Sequence, residues 1–450
     1  MFDRVLIANR GEIALRLIAA CRDLGIRTVA VYSTADRESL HVRHADEAVC
    51  IGGPHSSQSY LSIPAIISAA EVTDVDAIHP GYGFLAEDAR FAEICQACGI
   101  HFIGPTPDAI RLMGDKARAR RAAEDAGIPV LPGSREPLRS VAAVRDCALD
   151  VGFPVILKAS KGGGGRGMRI AREMDDLEEA FNQAQSEAGA AFGSGELYLE
   201  RFVEHPRHIE FQVLGDRYGN VVSLGERECS IQRRHQKLLE EAPANHFSAD
   251  RRAEVNELLA RALGSIGYSN AGTAEFVMDQ SGDLHFIELN ARIQVEHPVT
   301  EAVTGIDLVR SQMLLASGES LDDVIPGPTE VRGHAIECRI NAEDPQTFLP
   351  SAGTITQFAA PGGCGIRVDS AAFAGWRVRP YYDSLVAKVV ASAGCRRQAI
   401  QRMRRALRMC VLEGIQTSIP VHLRILDDPA FIEGRYDTGF LDAFLAPESS

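Results

Sequence analysis

Over its first hundred residues the chain alternates between two hydrophobic periods, and this alternation constrains its fold more than any other feature. Val5, Leu6, Ile7 and Ala8 form a continuous apolar run of strand type. From Gly11 the spacing changes, and Ile13, Leu17, Cys21 and Leu24 fall on one helical face. Further strands are expected over 28–32, 48–51, 77–79 and 101–103, and helices over 63–70, with Pro64 near its start, and 89–98. Strand and helix alternating at this pace predict βαβ units and a parallel, doubly wound, Rossmann-like sheet. The first turn, Asn9-Arg10-Gly11-Glu12, lacks the glycine fingerprint of a dinucleotide site.

The rest of the chain reads as α+β. An Ala- and Arg-rich helix is expected at about 115–126, and the Pro- and Gly-rich stretch 129–140 reads as a hinge. A smaller α+β segment runs to about 204, where the small residues of 188–195 suit a loop. Strands dominate 205–325, followed by a helix over 305–315. Ile325-Pro326-Gly327-Pro328 suggests a second boundary, and the remainder mixes short strands with a basic helix over 396–409. With 450 residues, about three domains are expected: 1–114, 115–330 (a mobile lid at about 131–203) and 331–450, the last a mixed α+β domain.

Composition narrows the function. Hydrophobic residues make up 45%, enough for a sizeable core, while 47 basic against 61 acidic residues give a net charge of −14. So acidic a chain is a poor nucleic-acid binder, because phosphate contacts need a basic surface. No apolar run approaches the roughly 18 residues of a membrane span, and the N-terminus lacks a signal peptide's basic start. Ten cysteines are too sparse for a disulfide scaffold, so a cytoplasmic enzyme is expected. Cys95-x-x-Cys98 has no second pair nearby and reads as ordinary thiols rather than zinc ligands.

Three constellations carry chemistry. In Lys-Ala-Ser-Lys-Gly-Gly-Gly-Gly-Arg-Gly-Met, over 158–168, apolar runs on both sides make a strand–loop–strand unit rather than a Walker A loop. Gly162, Gly163, Gly164, Gly165 and Gly167 allow backbone N–H groups to approach phosphate oxygens, and Lys158, Lys161 and Arg166 add positive charge. A lone glycine run suits a flexible surface loop. Strand flanks and three cations in an acidic protein favour a nucleoside triphosphate lid.

The second constellation is a predicted hairpin folded about 279–283, which places Glu275 nearly opposite Glu288. Two carboxylates that close repel unless a cation separates them, and Mg²⁺ suits the site because it accepts carboxylate oxygens while leaving positions for phosphate. Asn290 shares the parity of Glu288 and is a third candidate ligand. If the chain stays extended, Glu288, Asn290, Arg292, Gln294 and Glu296 project from one face, until Pro298 breaks the ladder. Arg292 is then placed to hold a small oxyanion, with Glu296 near enough to remove its proton. The third constellation is the basic cluster ending in Arg233-Arg234-His235-Gln236-Lys237, read as a local anion pocket.

The stretches 79–87, 158–168, 226–237, 288–300 and 332–344 (His-Pro-Gly-Tyr-Gly-Phe-Leu-Ala-Glu opens the series, and Glu-Cys-Arg lies in the last) together closely resemble biotin carboxylase, an ATP-grasp enzyme. The likeness runs from Ile7-Ala8-Asn9-Arg10-Gly11-Glu12-Ile13 to near the C-terminus.

The resemblance implies ATP between the glycine lid and the central sheet. Lys116 and Lys158 are expected on its phosphates, and Glu200, Arg201, Phe202 and Val203 at the adenine through a backbone hinge. His208, Gln232, His235 and Val277 are expected beside the nucleotide. Two Mg²⁺ ions, or Mn²⁺, would bridge Glu275, Glu288 and the phosphates. Lys237 and Arg292 would hold bicarbonate, with Gln294 and Val295 alongside, while Glu296 deprotonates it. The carboxyphosphate formed breaks down to CO₂ and phosphate, the phosphate takes the ureido proton of biotin, and Arg339 stabilises the resulting oxyanion. Tyr82 is expected near biotin.

The reaction implied is the first half-reaction of acetyl-CoA carboxylase, in fatty acid synthesis; the alternative is the same step in a pyruvate, propionyl-CoA or other acyl-CoA carboxylase. No Met-Lys-Met biotinylation tripeptide occurs. Biotin is therefore expected on a separate biotin carboxyl carrier protein, with carboxyltransferase subunits as further partners. Two departures from the family stand out: Lys161 replaces a small residue in the lid, and Cys364 replaces an aromatic at the dimer contact. Arg16 and Arg367 match other contact positions, so a homodimer is expected.

Overall fold

The computed structural model describes residues 1–160, 167–245 and 247–446. The N-terminal strands β1 (Arg4–Ile7), β2 (Arg27–Ser33), β3 (Glu47–Gly52), β4 (Ala77–His79) and β5 (His101–Phe102) form a sheet in the order β3-β2-β1-β4-β5. All neighbours are parallel, as the alternating periods predict. The helix Gly11–Asp23 buries Ile13, Leu17 and Cys21 on the face set by their spacing.

A small antiparallel sheet follows: β6 (Val155–Ala159), β7 (Arg169–Ala171) and β8 (Leu197–Arg201), in the order β7-β6-β8. The stretch at 129–140 runs extended and tied down. Ser134 and Leu138 donate backbone hydrogen bonds to Leu199 and Leu197 of β8. The expected loop over 188–195 is corrected. The helix Leu177–Phe192 runs through most of it and ends at Gly193, in the left-handed region. Alanine is the strongest helix former, and Ala184 and Ala188 are fully buried where the helix needs small side chains to approach the sheet. Gly167 sits at φ +69 with Ala159 and Ala188 crowding its absent Cβ.

The third sheet contains β9 (Arg207–Gly215), β10 (Val221–Arg233), β11 (Gln236–Ala242), β12 (Asn270–Met278), β13 (Leu284–Asn290) and β14 (His334–Asn341). Beyond these come β15 (Gly353–Thr354), β16 (Gln357–Ala359), β17 (Ile366–Ser370), β18 (Arg377–Val378), β19 (Leu385–Ala393) and β20 (Val411–Glu413). Eight strands join in the order β13-β12-β9-β10-β11-β14-β19-β17, and two short ribbons, β15-β18 and β16-β20, stand apart.

One face of this sheet packs Phe211, Phe276 and Phe286 under the helix Ala249–Ile266, which sequence reading missed. The other face packs Leu214 and Ala271 against Leu17 and Met313. Because side chains alternate along a strand, that second face continues from Leu214 through Gln212 and Glu210 to His208. An apolar seam thus becomes a polar row, and the polar row is the site. The expected helix over 305–315 begins later, at Leu308, because left-handed Gly305 ends the helix His297–Thr304 and Asp307 caps the next. Among the described residues no helix is long and apolar enough to cross a membrane. Cys95 is buried and Cys98 exposed, both free thiols.

Candidate active site

The β12–β13 hairpin turns at 279–283, and its register sets Glu275 directly opposite Glu288 and Thr273 opposite Asn290. Glu275 Oε1 accepts from Asn290 Nδ2 at 2.9 Å, Gln294 Nε2 at 2.8 Å and Lys237 Nζ at 2.9 Å. Glu288 Oε2 lies 2.6 Å from Lys116 Nζ. Burial pushes the Glu275 carboxyl up, but the charges of Lys237 and His208 outweigh it and hold it well below the carboxylate range. His208 Nε2 is 3.3 Å from Glu275 Oε2. Burial lowers its imidazole, yet the Glu275 charge and Glu210 raise it to about 9.

Lys237 stands at the start of β11, where a two-residue turn of left-handed Arg234 and His235 returns the chain from β10. Its ammonium donates to Glu210, to Glu275 and, at 2.7 Å, to Glu296 Oε1. Glu210 is held in turn by fully buried Arg227, which donates at 2.6 Å to its Oε1, at 2.8 Å to Gln212 and at 2.9 Å to Thr300.

The expected extended run past Asn290 is corrected. The strand ends there, and Glu296 is the residue before the helix His297–Thr304, with Pro298 in its first turn. Proline is accommodated there because a first-turn N–H has no helical partner. The turn still gathers the same side chains. Arg292 donates to Glu87 Oε2 at 2.7 Å, Asn290 Oδ1 at 3.1 Å and Gln294 Oε1 at 3.3 Å. Fully buried Glu296 also accepts from Arg339 Nη2 at 2.9 Å, and Arg339 Nε donates to Glu240 at 2.6 Å. Burial raises the Glu296 carboxyl, but Lys237 and Arg339 more than offset that and the repulsion from Glu210, keeping it low and ionised. The Val295 carbonyl accepts from Lys388 Nζ at 2.9 Å, and the Tyr82 hydroxyl donates to Glu12.

The remaining expected residues form a second group. Lys158 Nζ donates to buried Glu200 Oε2 at 2.6 Å, and Arg120 lies 3.3 Å from the other oxygen. The backbone N–H groups of Arg201 and Phe202 donate to the Pro132 and Pro154 carbonyls, and Val203 follows just beyond β8. Val277 pairs with His208 across β12 and β9. Gln232 pairs with Lys237 and donates to the Cys229 carbonyl at 2.7 Å. Partial burial and the charges of Lys158 and Lys116 lower the His235 imidazole. Lys161, Gly162, Gly163, Gly164, Gly165 and Arg166 lie outside the described residues. Sequence reading missed Glu210, Arg227, Glu240 and the partner role of Glu87. A signal for Glu210 is present, since His208, Glu210 and Gln212 share one parity within an apolar strand.

A Rossmann-like sheet, a small sheet flanking a glycine-rich segment, and a polar face bearing paired carboxylates define an enzyme of the ATP-grasp class. The biotin carboxylase N-terminal domain family matches residues 1–110, and the biotin carboxylase C-terminal domain family matches 337–443. Between them, the carbamoyl-phosphate synthase L chain ATP-binding domain family matches 115–324. A biotin carboxylase of Nostoc sp. is 53% identical over 98% of both chains. The Campylobacter jejuni biotin carboxylase–β,γ-ATP complex superposes with a TM-score of 0.96 at 47% identity, covering 98% of this chain and 99% of that one. The biotin carboxylase domain dimer of Hydrogenobacter thermophilus 2-oxoglutarate carboxylase, solved with MgADP, ADP and bicarbonate, gives 0.94 at 48% identity over 98% of both chains. The chain belongs to the biotin carboxylase family.

Proposed function

We infer that this chain carboxylates biotin held on a separate carrier protein, using ATP and bicarbonate, as the first half-reaction of an acetyl-CoA carboxylase. The observation that carries this reading is the Glu296 carboxylate, shielded from solvent and bracketed by Lys237 and Arg339. An ionised carboxylate between two cations is a base next to an anion site.

The donor set at Glu275, Glu288 and Asn290 is all oxygen on adjacent strands, and it fits Mg²⁺ or Mn²⁺. Two bound ions would neutralise phosphate charge and orient the γ-phosphate. Lys116 and Lys158, now paired with Glu288 and Glu200, are the cations placed to exchange those partners for phosphate oxygens. Lys237 and Arg292 bind bicarbonate, and Glu296 takes its proton. Its oxygen attacks the γ-phosphorus, ADP leaves and carboxyphosphate forms. This breaks down to CO₂ and phosphate, the phosphate removes the ureido proton of biotin, and the ureido nitrogen attacks CO₂. Arg339 stabilises the oxyanion formed on biotin, with Tyr82 at the same end of the site.

The three parts, 1–114, 115–330 and 331–450, then act as a scaffold, an ATP-grasp centre with its lid at 131–203, and the supplier of Arg339. The acyl acceptor is chosen by a carboxyltransferase partner. A relative from a 2-oxoglutarate carboxylase is nearly as similar as one named only biotin carboxylase, so pyruvate and acyl-CoA carboxylases are the alternative settings. The protein is proposed to act in the cytoplasm as a homodimer. Arg16 and Arg367 converge on Glu301 at a surface depression, and Cys364 is exposed. The test is transfer of label from bicarbonate to biotin with ATP and Mg²⁺. Label that never reaches biotin contradicts the reading.

A further inference from the structure

Behind Arg339 the sheet register puts two glutamates face to face. Glu240 of β11 pairs with Glu337 of β14, and both are withdrawn completely from solvent. Residues opposite each other on antiparallel strands share a face, so their carboxyls are neighbours. The same face carries Arg339 and Lys388, themselves paired across β14 and β19. Glu240 uses one oxygen to accept from Arg339 Nε. Its other oxygen, and both oxygens of Glu337, have no hydrogen-bond partner among the described residues.

The nearby cations are already committed. Lys388 Nζ lies 2.9 Å from the Val295 carbonyl, 3.1 Å from Glu12 and 3.9 Å from Asp369. Arg339 directs Nε and Nη2 to Glu240 and Glu296. Facing Glu337 are therefore Glu240 from β11, Arg339 from its own strand, Lys388 from β19, Glu296 ahead of the helix His297–Thr304, and Tyr82 from the loop after β4. Two shared cations do not neutralise this many acids. A buried carboxylate without a partner is costly, and gaining a proton removes that cost.

We propose that Glu337 carries a proton at neutral pH and is a positioning residue: as a neutral acid beside Glu240, it leaves the Arg339 guanidinium divided only between Glu240 and Glu296. An ionised Glu337 would compete for that guanidinium and draw it from the end of the site assigned to biotin. Burial first, then the charges of Glu240 and Glu296, push the Glu337 carboxyl well above its usual range against Lys388 and Arg339. Glu240 is pushed to about 7, by burial and Glu296 against Arg339. The two titrate as a pair. The kinetic consequence rests on the proposed role of Arg339; the protonation state does not.

Infrared pH-difference spectroscopy on the full chain reads the proton directly. The wild type is expected to show a protonated-carboxyl band at pH 7 that is lost on raising the pH and is missing from Glu337→Gln. Glu240→Gln, which removes the neighbouring charge, should move that loss to lower pH, and this arm stands even where Glu337→Gln does not fold. No such band at pH 7, or an equal band in Glu337→Gln, overturns the proposal. In steady-state kinetics, Glu337→Ala should lower kcat/KM for biotin by about tenfold or more. Gln should restore most of it and remove the wild type's alkaline limb. An alkaline limb unchanged by Gln overturns the positioning role. The expected spectra with no effect of any variant on a biotin-dependent rate would uphold the neutral acid and overturn the assignment of Arg339 to biotin.

Discussion

Lys237 holds its ammonium 2.7 Å from a Glu296 carboxylate oxygen that water does not reach. The pair explains how a base can stay ionised in a buried place. Lys237 compensates the charge of Glu296 until an anion arrives. When bicarbonate takes a share of that ammonium, Glu296 loses compensation and its affinity for a proton rises. The base strengthens at the moment its substrate is bound.

Glu296→Ala should therefore bind ATP as the wild type does and lose bicarbonate-dependent turnover by about 10²-fold or more, the scale for removing a general base. Equilibrium ATP binding and steady-state ADP release check the two halves separately. Turnover near the wild-type level would assign the base elsewhere.

The facing carboxylates predict a metal dependence. A chelator should abolish turnover, and Mg²⁺ or Mn²⁺ should restore it. Glu275→Gln and Glu288→Gln should each raise the Mg²⁺ concentration for half-maximal rate by about tenfold or more, since each removes a charged oxygen ligand. An unchanged Mg²⁺ titration in both variants would contradict the pairing.

Away from the site, acid stability should depend on Glu241. Burial raises this carboxyl, but the hydrogen bond with His334 and the charge of Arg396 outweigh it and hold it at about 2. His334 Nε2 lies 2.6 Å from Oε2, and Arg396 donates at 2.7 and 3.0 Å. A depressed carboxyl stabilises the fold fully above its unfolded value near 4.5, and that contribution is lost as pH falls toward 2. It is on the order of 3 kcal/mol. Glu241→Gln should lower Tm at pH 7 and flatten its fall in acid. A melting profile parallel to the wild type's would contradict this.

Sedimentation at micromolar protein should show a dimer. Arg16→Glu should shift it toward monomer, because that charge meets Glu301 and Asp307 at the surface depression. A wild type that sediments only as monomer contradicts the dimer.

What sequence reveals here follows the range of the contacts. The Glu275–Glu288 register was readable because an alternating pattern and a turn lie within twenty residues of each other. The parallel N-terminal sheet was readable for the same local reason. Arg292 and Glu296 do come together with Lys237, but the extended strand invoked to unite them stops at Asn290. Pro298 starts a helix rather than merely breaking a ladder. Glu87 on Arg292 and Glu240 on Arg339 join positions 205 and 99 residues apart. Only the strand order β9-β10-β11-β14 brings such residues into one row. Small residues misled at 188–191, where alanine serves helix packing rather than a loop.

The most direct measurement of the central claim is ADP release by the purified chain with Mg²⁺ and bicarbonate, with and without free biotin. Biotin should accelerate ATP hydrolysis, and omission of bicarbonate should remove that acceleration. Hydrolysis indifferent to biotin up to its solubility limit would contradict the account.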